Sequence, residues 1–157
     1  MQKIIPFLWF DDKAEEAMHF YVSIFKNSKA GTVRRQGADG PGKKGKAVTV
    51  SFTLDGQEFY ALNGGPHYTF SPAISFFVNC QTQQEVDELS AKLTAGGEQG
   101  QCGWLKDKFG VSWQIIPTAL GELLGDADRE KAGRVMQAMM KMHKIDVSQL
   151  QAAYDGR

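Results

Sequence analysis

The sequence predicts an α+β protein made of two repeated strand–helix–strand units followed by a helical tail. Three observations carry this reading. The order of an apolar strand, a capped helix and further strands returns at a fixed offset, the candidate helix caps Asp12 and Thr82 lying 70 residues apart. The dipeptide Asp55-Gly56 separates two strand-like runs, and Asp-Gly suits the positive φ angles of a type I′ hairpin turn. Beyond Pro117 the apolar period becomes helical and stays so to the end. A fixed-offset repeat speaks for architecture because neither unit holds a complete core alone.

The elements follow in order. Ile4 to Phe10 is an apolar run that reads as a strand buried on both faces, and Pro6 within it points to an edge or a strand start. Asp12 with Glu15 has the spacing of a capping box, and Ala14, Ala17, Met18, Tyr21, Ile24 and Phe25 form a stripe, so a helix is expected over about 13–26. Lys29 to Arg35 is a short strand and Gln36 to Lys46 a glycine-rich loop. Ala47 to Leu54 and Gln57 to Asn63 are the hairpin strands, and Gly64-Gly65-Pro66 closes the first unit.

The second unit opens with Ala73 to Asn79, again expected to be buried on both faces. Thr82 with Glu85 is another capping box, and Val86, Leu89 and Leu93 form a stripe ending at Gly96-Gly97. A glycine-rich loop, a strand around Gly103 to Lys106, a turn through Gly110 and a strand over Val111 to Pro117 complete it. In the tail, Glu122 to Leu124 reads as a turn, Asp126 or Asp128 starts a helix to about His143, and Asp146 with Gln149 caps a last one. The chain reads as a single domain, with module one over about 1–66, module two over about 71–117 and the tail over about 118–157.

Composition narrows the function. The 157 residues carry 18 Lys+Arg and 18 Asp+Glu, a formal net charge of zero, without the basic excess of a nucleic-acid binder. With 42% hydrophobic and 23% charged residues the chain is neither disordered nor membrane-spanning. The cysteines Cys80 and Cys102 form no C-x-x-C pair, and the N-terminus lacks the pattern of a signal peptide, so the reducing cytoplasm is the expected compartment.

The motifs give few chemical leads. Gly40, Gly42, Gly45 and Lys46 partly match phosphate-loop and dinucleotide patterns, but Ala47 stands where Ser or Thr would hold magnesium, and a strand follows instead of a helix. His19 and His143 read as helix-surface or packing residues, whereas His67 lies in a loop at a strand end, where sites more often form. No pair of histidines has metal-ligand spacing. Met136, Met139, Met140 and Met142 read as core or interface filler on the tail helix.

The repeat, with FLWFDDKAEEAMHFY, ISFFVNC, WLKDKFGVSWQ from Trp104 and the tail AGRVMQAMMKMHKIDVSQLQAAY, resembles the PhnB-like group of the vicinal oxygen chelate superfamily. The resemblance covers nearly the whole chain. It implies the glyoxalase and bleomycin-resistance fold, two βαβββ modules whose mixed sheets form a cupped cavity, usually in a homodimer. Enzymes of the superfamily hold a divalent metal with His, Gln or Glu from the first and last strands of each module. Those positions fall here on Pro6, a residue near Asn63, Ala73 and Gln114, which points to a metal-free cup. Some members of the group carry a demethylubiquinone methyltransferase-like label, yet no glycine-rich turn joins a strand to a helix as a dinucleotide-type site needs.

The expected function is therefore the binding of a small organic molecule, with Asn63, His67, Trp104, Asp107 and Gln114 as ligand candidates and no cofactor. Asn63 and Gln114 would exchange hydrogen bonds with the ligand, Trp104 would stack on it, and His67 or Asp107 would orient it or move a proton. Asp107 equally suits the start of the turn to Gly110, and Trp104 a core position. Two alternatives stand beside this. One is a metal-dependent lyase, isomerase or dioxygenase using His67 with Gln114, and the other is a resistance-type protein that sequesters a drug.

Overall fold

The computed structural model describes residues 1–37 and 47–157. They form two compact units, Met1–Phe70 and Ser71–Arg157. Unit one holds β1 (Phe7–Phe10), α1 (Ala14–Ile24), β2 (Lys29–Arg35), β3 (Ala47–Leu54) and β4 (Gln57–Asn63). Its sheet runs β1-β4-β3-β2, with β1 parallel to β4 and the other pairs antiparallel. Unit two repeats this with β5 (Ser75–Cys80), α2 (Gln83–Thr94), β6 (Glu98–Gln99), β7 (Trp104–Lys106) and β8 (Ser112–Pro117). Its sheet runs β5-β8-β7-β6, with β5 parallel to β8. The tail α3 (Thr118–Leu124), α4 (Arg129–Met140) and α5 (Val147–Asp155) belongs to this second unit.

Each sheet covers a helix with one face. In unit one, Leu8, Phe10, Val50, Phe52, Phe59 and Ala61 alternate inward and meet the α1 stripe of Ala14, Ala17, Met18 and Tyr21, all buried. Phe52 and Phe59 stack at 5.4 Å between ring centroids. In unit two the α2 stripe Val86, Leu89 and Leu93 is buried, as are Leu105, Trp113 and Ile115. The hairpin turn forms as its sequence demands, with φ of 49° at Asp55 and 78° at Gly56.

Several elements differ from the sequence expectation. Strand β1 begins at Phe7, not Ile4, and it is not buried on both faces, since Phe7 is 54% exposed. Strand β5 alternates likewise, with Phe77 also 54% exposed. An edge strand of a sheet covered on one side needs only alternate apolar residues inward. Asp12 does not cap α1. Lys13 holds the cap position, and the first helical N–H, that of Ala14, donates to Asn63 Oδ1 at 2.8 Å. A side chain from β4 thus takes the place of the local carboxylate. Thr82 does cap α2, its Oγ1 accepting from Glu85 N at 3.1 Å.

The tail is more helical than expected. Residues 118–124 form a helix where only a turn was predicted, and α4 stops at Met140, capped at its start by Asp128. Met142 lies beyond the helix end and turns inward, joining Ile116, Leu120, Val135, Ile145 and Leu150 in a second cluster. This cluster covers the open side of β8 at Ile116. Backbone bonds from Cys102 N to Met142 O and Gly103 N to His143 O, both 2.8 Å, fix the segment in place. Gln83 adds two more, donating to Ile145 O at 2.9 Å and accepting from Val147 N at 2.7 Å. No helix among the described residues is long and apolar enough to cross a membrane.

Candidate functional site

The side of each sheet away from its helix is where ligand-facing chemistry collects. In unit two, Gln114 on central β8 is paired with Phe77 on one side and Trp104 on the other, so these three share the open face. Gln114 Nε2 donates to Ser75 Oγ at 2.9 Å, which orients the amide. Its Oε1 and the Trp104 indole N–H take no hydrogen bond among the described residues. An acceptor and a donor flanked by two aromatic rings therefore stand on one wall. Trp104 and Gln114, two of the sequence candidates, are brought together here.

Unit one places Tyr60 and Phe7 at the matching positions. Tyr60 pairs with Phe7 on β1 and Ser51 on β3, as Gln114 pairs with Phe77 and Trp104. The Phe7 and Tyr60 rings meet edge to face at 5.6 Å. A cavity of about 410 Å³ opens on this face, lined by both rings with Arg34, Thr49, Ser51 and Glu58. Tyr60, and not the neighbourhood of Asn63, is thus the counterpart of Gln114. The signal was in the sequence: each lies four residues after the glycine of its turn, Gly56 or Gly110. Arg34 and Glu58 had no such signal.

The remaining candidates are placed apart from these faces. Asn63 pairs with the buried Phe10 on the helix side of the sheet, where Oδ1 caps α1 and Nδ2 donates to Ala47 O at 3.0 Å. Both ends of the amide are committed to holding the module. Asp107 is 2% exposed in the turn between β7 and β8. Its Oδ1 accepts from Phe109 N at 2.8 Å and Val111 N at 3.1 Å, and its Oδ2 from Trp113 Nε1 at 2.9 Å. This is the turn-starting role that the sequence also allowed. His67 is exposed in the segment after β4, next to Tyr68, whose ring packs on Trp9 at 5.0 Å.

Other residues weighed in the sequence find ordinary places. His19 and His143 are exposed. Met136 and Met140 are exposed and Met142 buried. Cys80 is buried without a disulfide, and burial, with Glu85 adding to it, pushes its thiol up to about 12, so it does not act as a thiolate nucleophile near neutral pH. The glycine and lysine segment over 40–46 lies outside the described residues.

Comparison with known proteins fits this geometry. The family model described as 3-demethylubiquinone-9 3-methyltransferase matches residues 2–116, which include both four-stranded units. A PhnB protein from Bacillus cereus is 42% identical, over 74% of this chain and 99% of its own, with a TM-score of 0.68. The chain belongs to this PhnB-like family. Two further solved structures share the fold alone. A protein from Pseudomonas aeruginosa is 21% identical, over 74% of this chain and 98% of its own, with a TM-score of 0.60. A fosfomycin resistance protein from Listeria monocytogenes is 15% identical, over 74% of this chain and 93% of its own, with a TM-score of 0.52. No curated protein matches.

The PhnB-like modules thus have the vicinal oxygen chelate fold, and the metal positions of that fold can be tested against these residues. Pro6 and Ala73 precede β1 and β5 and carry no donor atom on their side chains. Tyr60 and Gln114 offer a phenol and a neutral amide. This set does not fit a tightly held divalent ion, which takes imidazole, thiolate or carboxylate ligands. Among the described residues no three of His, Cys, Asp and Glu are grouped to hold one.

Proposed function

We propose that this PhnB-like protein binds a small organic molecule on the open faces of its sheets, without a metal held by the protein. The observation that carries the reading is the matched pair of positions Tyr60 and Gln114, each central on its open face and each flanked by an exposed phenylalanine, Phe7 or Phe77. Apolar rings beside a few oriented polar groups are the composition of small-molecule sites. Trp104 and Gln114 supply a donor and an acceptor in unit two, and Tyr60 supplies a hydroxyl in unit one. His67 is assigned to the exposed loop, as an orienting group. Asn63 and Asp107 act at one remove, by holding the strands and the turn that present these side chains. The protein works as a homodimer in the cytoplasm in this reading.

Native mass spectrometry of freshly purified protein tests it, because metal, ligand and oligomeric state are read together. The expected spectrum is a dimer carrying an organic adduct and no stoichiometric metal. Retention of one divalent ion per chain would overturn the reading in favour of a metal-dependent enzyme. A ligand library screened by thermal shift adds a second test, since a ligand that binds only the folded state raises its melting temperature. Gln114→Ala and Trp104→Ala are expected to abolish the shifts of compounds that bind unit two.

A further inference from the structure

Arg34 lies on β2, the edge strand of the first sheet, and its guanidinium lines the cavity on the open face. Among the described residues no carboxylate stands within ion-pair distance of it, whereas its neighbour Arg35 is paired with Glu15 at 2.8 Å. The backbone around Arg34 is shaped as well. The register of β2 against β3 slips between Ala30 and Val33, and in this bulge Thr32 N donates to Ser51 Oγ at 2.9 Å. Bulges redirect the side chains beside them and recur next to functional sites. A Cβ on Gly31 would stand 2.5 Å from Ser51 Oγ and 2.7 Å from Ser51 O, so glycine is what lets the two strands close here.

The groove is polarised along its length. Arg34 is level with Thr49, whereas Glu58, the other charged group of the lining, is level with Thr53. Four residues along a strand are about 13 Å, so the two charges sit at opposite ends and do not neutralise each other. Across the sheet, β2 to β1 covers three strand spacings, about 14 Å, from Arg34 to the Phe7 and Tyr60 rings. Between them stand the hydroxyl side chains Thr49 and Ser51. Positive fork, hydroxyls and aromatic wall follow one another across the floor.

We infer that this groove takes a small carboxylate with a planar apolar body, Arg34 holding the carboxylate and Phe7 with Tyr60 receiving the body. The inference rests on the small-molecule reading above and narrows it to one class and one unit. A guanidinium presents two parallel N–H donors that match the two oxygens of a carboxylate, which a lysine or an amide does not reproduce. Glu58 at the far end sets the orientation by repelling the anion.

The test is a titration of the full chain with benzoate and with benzamide, its neutral counterpart, followed by amide chemical shifts in nitrogen-15 spectra. Benzoate is expected to move the amides of β2 to β4 on the open face and to bind at least tenfold more weakly to Arg34→Gln, with Arg34→Lys recovering part of the loss. Benzamide is expected to bind the original protein more weakly and to be insensitive to Arg34→Gln. Equal binding of the two probes, unchanged in Arg34→Gln, overturns the carboxylate assignment while leaving the small-molecule reading in place. Absence of benzoate shifts on this face at millimolar concentration overturns the inference as well, and the native mass spectrum then decides the wider reading separately. Because Arg34 is exposed on an edge strand, both variants are expected to keep the shift dispersion of the original fold, which the same spectra verify.

Discussion

The indole Nε1 of Trp113 donates to Oδ2 of Asp107 at 2.9 Å, joining the central strand β8 to the turn that begins it. Both side chains are buried, and the second carboxylate oxygen takes two backbone N–H groups of the same turn. Removing the carboxylate strands three donors away from water. Asp107→Ala is therefore expected to lower the unfolding free energy by about 3–5 kcal/mol in urea denaturation. Asp107→Asn, which keeps an oxygen for the turn but sets an amide against the indole, is expected to fall between the two.

Asn63 has the same standing in unit one. Asn63→Ala removes the cap of α1 and the bond to Ala47 O, with an expected loss of about 1–3 kcal/mol. Asp12→Ala, at the residue whose sequence suggested the cap, is expected to change stability by less than about 0.5 kcal/mol. Thermal melts of the two variants side by side check the assignment.

Gly31→Ala forces a methyl group onto the backbone oxygen of Ser51. The strands must part to admit it, at an expected cost of about 1–3 kcal/mol. Amide exchange of β2 and β3, compared with that of β5 and β8, is expected to rise in the first sheet alone.

Three aspartates that secure the tail titrate low. Asp126 is held below the usual carboxylate range first by the Tyr154 hydroxyl at 2.7 Å, Asp87 first by Lys144 at 2.7 Å, and Asp146 first by the Ser148 hydroxyl at 2.6 Å. Each folded value lies below the unfolded one, so each contribution is complete above about pH 4 and is lost as the pH falls below it. Tyr154 is shifted the other way, its hydroxyl held protonated mainly by Asp126, so that contribution is lost on the alkaline side, above about pH 10. A melting-temperature profile should fall at both ends, and Asp126→Asn should flatten both falls.

The thiols should differ in reactivity. Cys80 is buried with its thiol pushed up to about 12, whereas Cys102 is partly exposed. Iodoacetamide at pH 8 is expected to label Cys102 first and Cys80 only after unfolding, which intact-mass measurement resolves. Rapid native labelling of Cys80 would contradict its burial.

What the sequence disclosed followed the range of the interaction involved. The Asp55-Gly56 turn and the Thr82 cap depend on neighbours within four residues and were legible. The cap of α1 was not, because Asn63, 49 residues away, displaced the local candidate. Strand burial on both faces was over-read at Phe7 and Phe77, since an apolar run does not reveal that one side of a sheet stays open. For the site, Trp104 and Gln114 could be found in the sequence, and Tyr60 could have been, from its spacing to Gly56. Arg34 could not. An arginine on an edge strand has the same sequence appearance whether it is solvated or lines a cavity, and only the register of β2 on β3 separates the two.

The tail has a consequence for how such a chain changes over generations. The family match ends at residue 116, one residue before β8 does, and the helices that follow cover Ile116 and supply backbone partners to Cys102 and Gly103. Once module two came to depend on that cover, simple deletion stopped being a way back, because a chain ending at Pro117 would leave an apolar patch and two unanswered amides. The extension is entrenched. Module one, which packs no such helices in its own unit, stayed open to substitution on its face, and the two halves of a duplicated plan were set on different evolutionary paths.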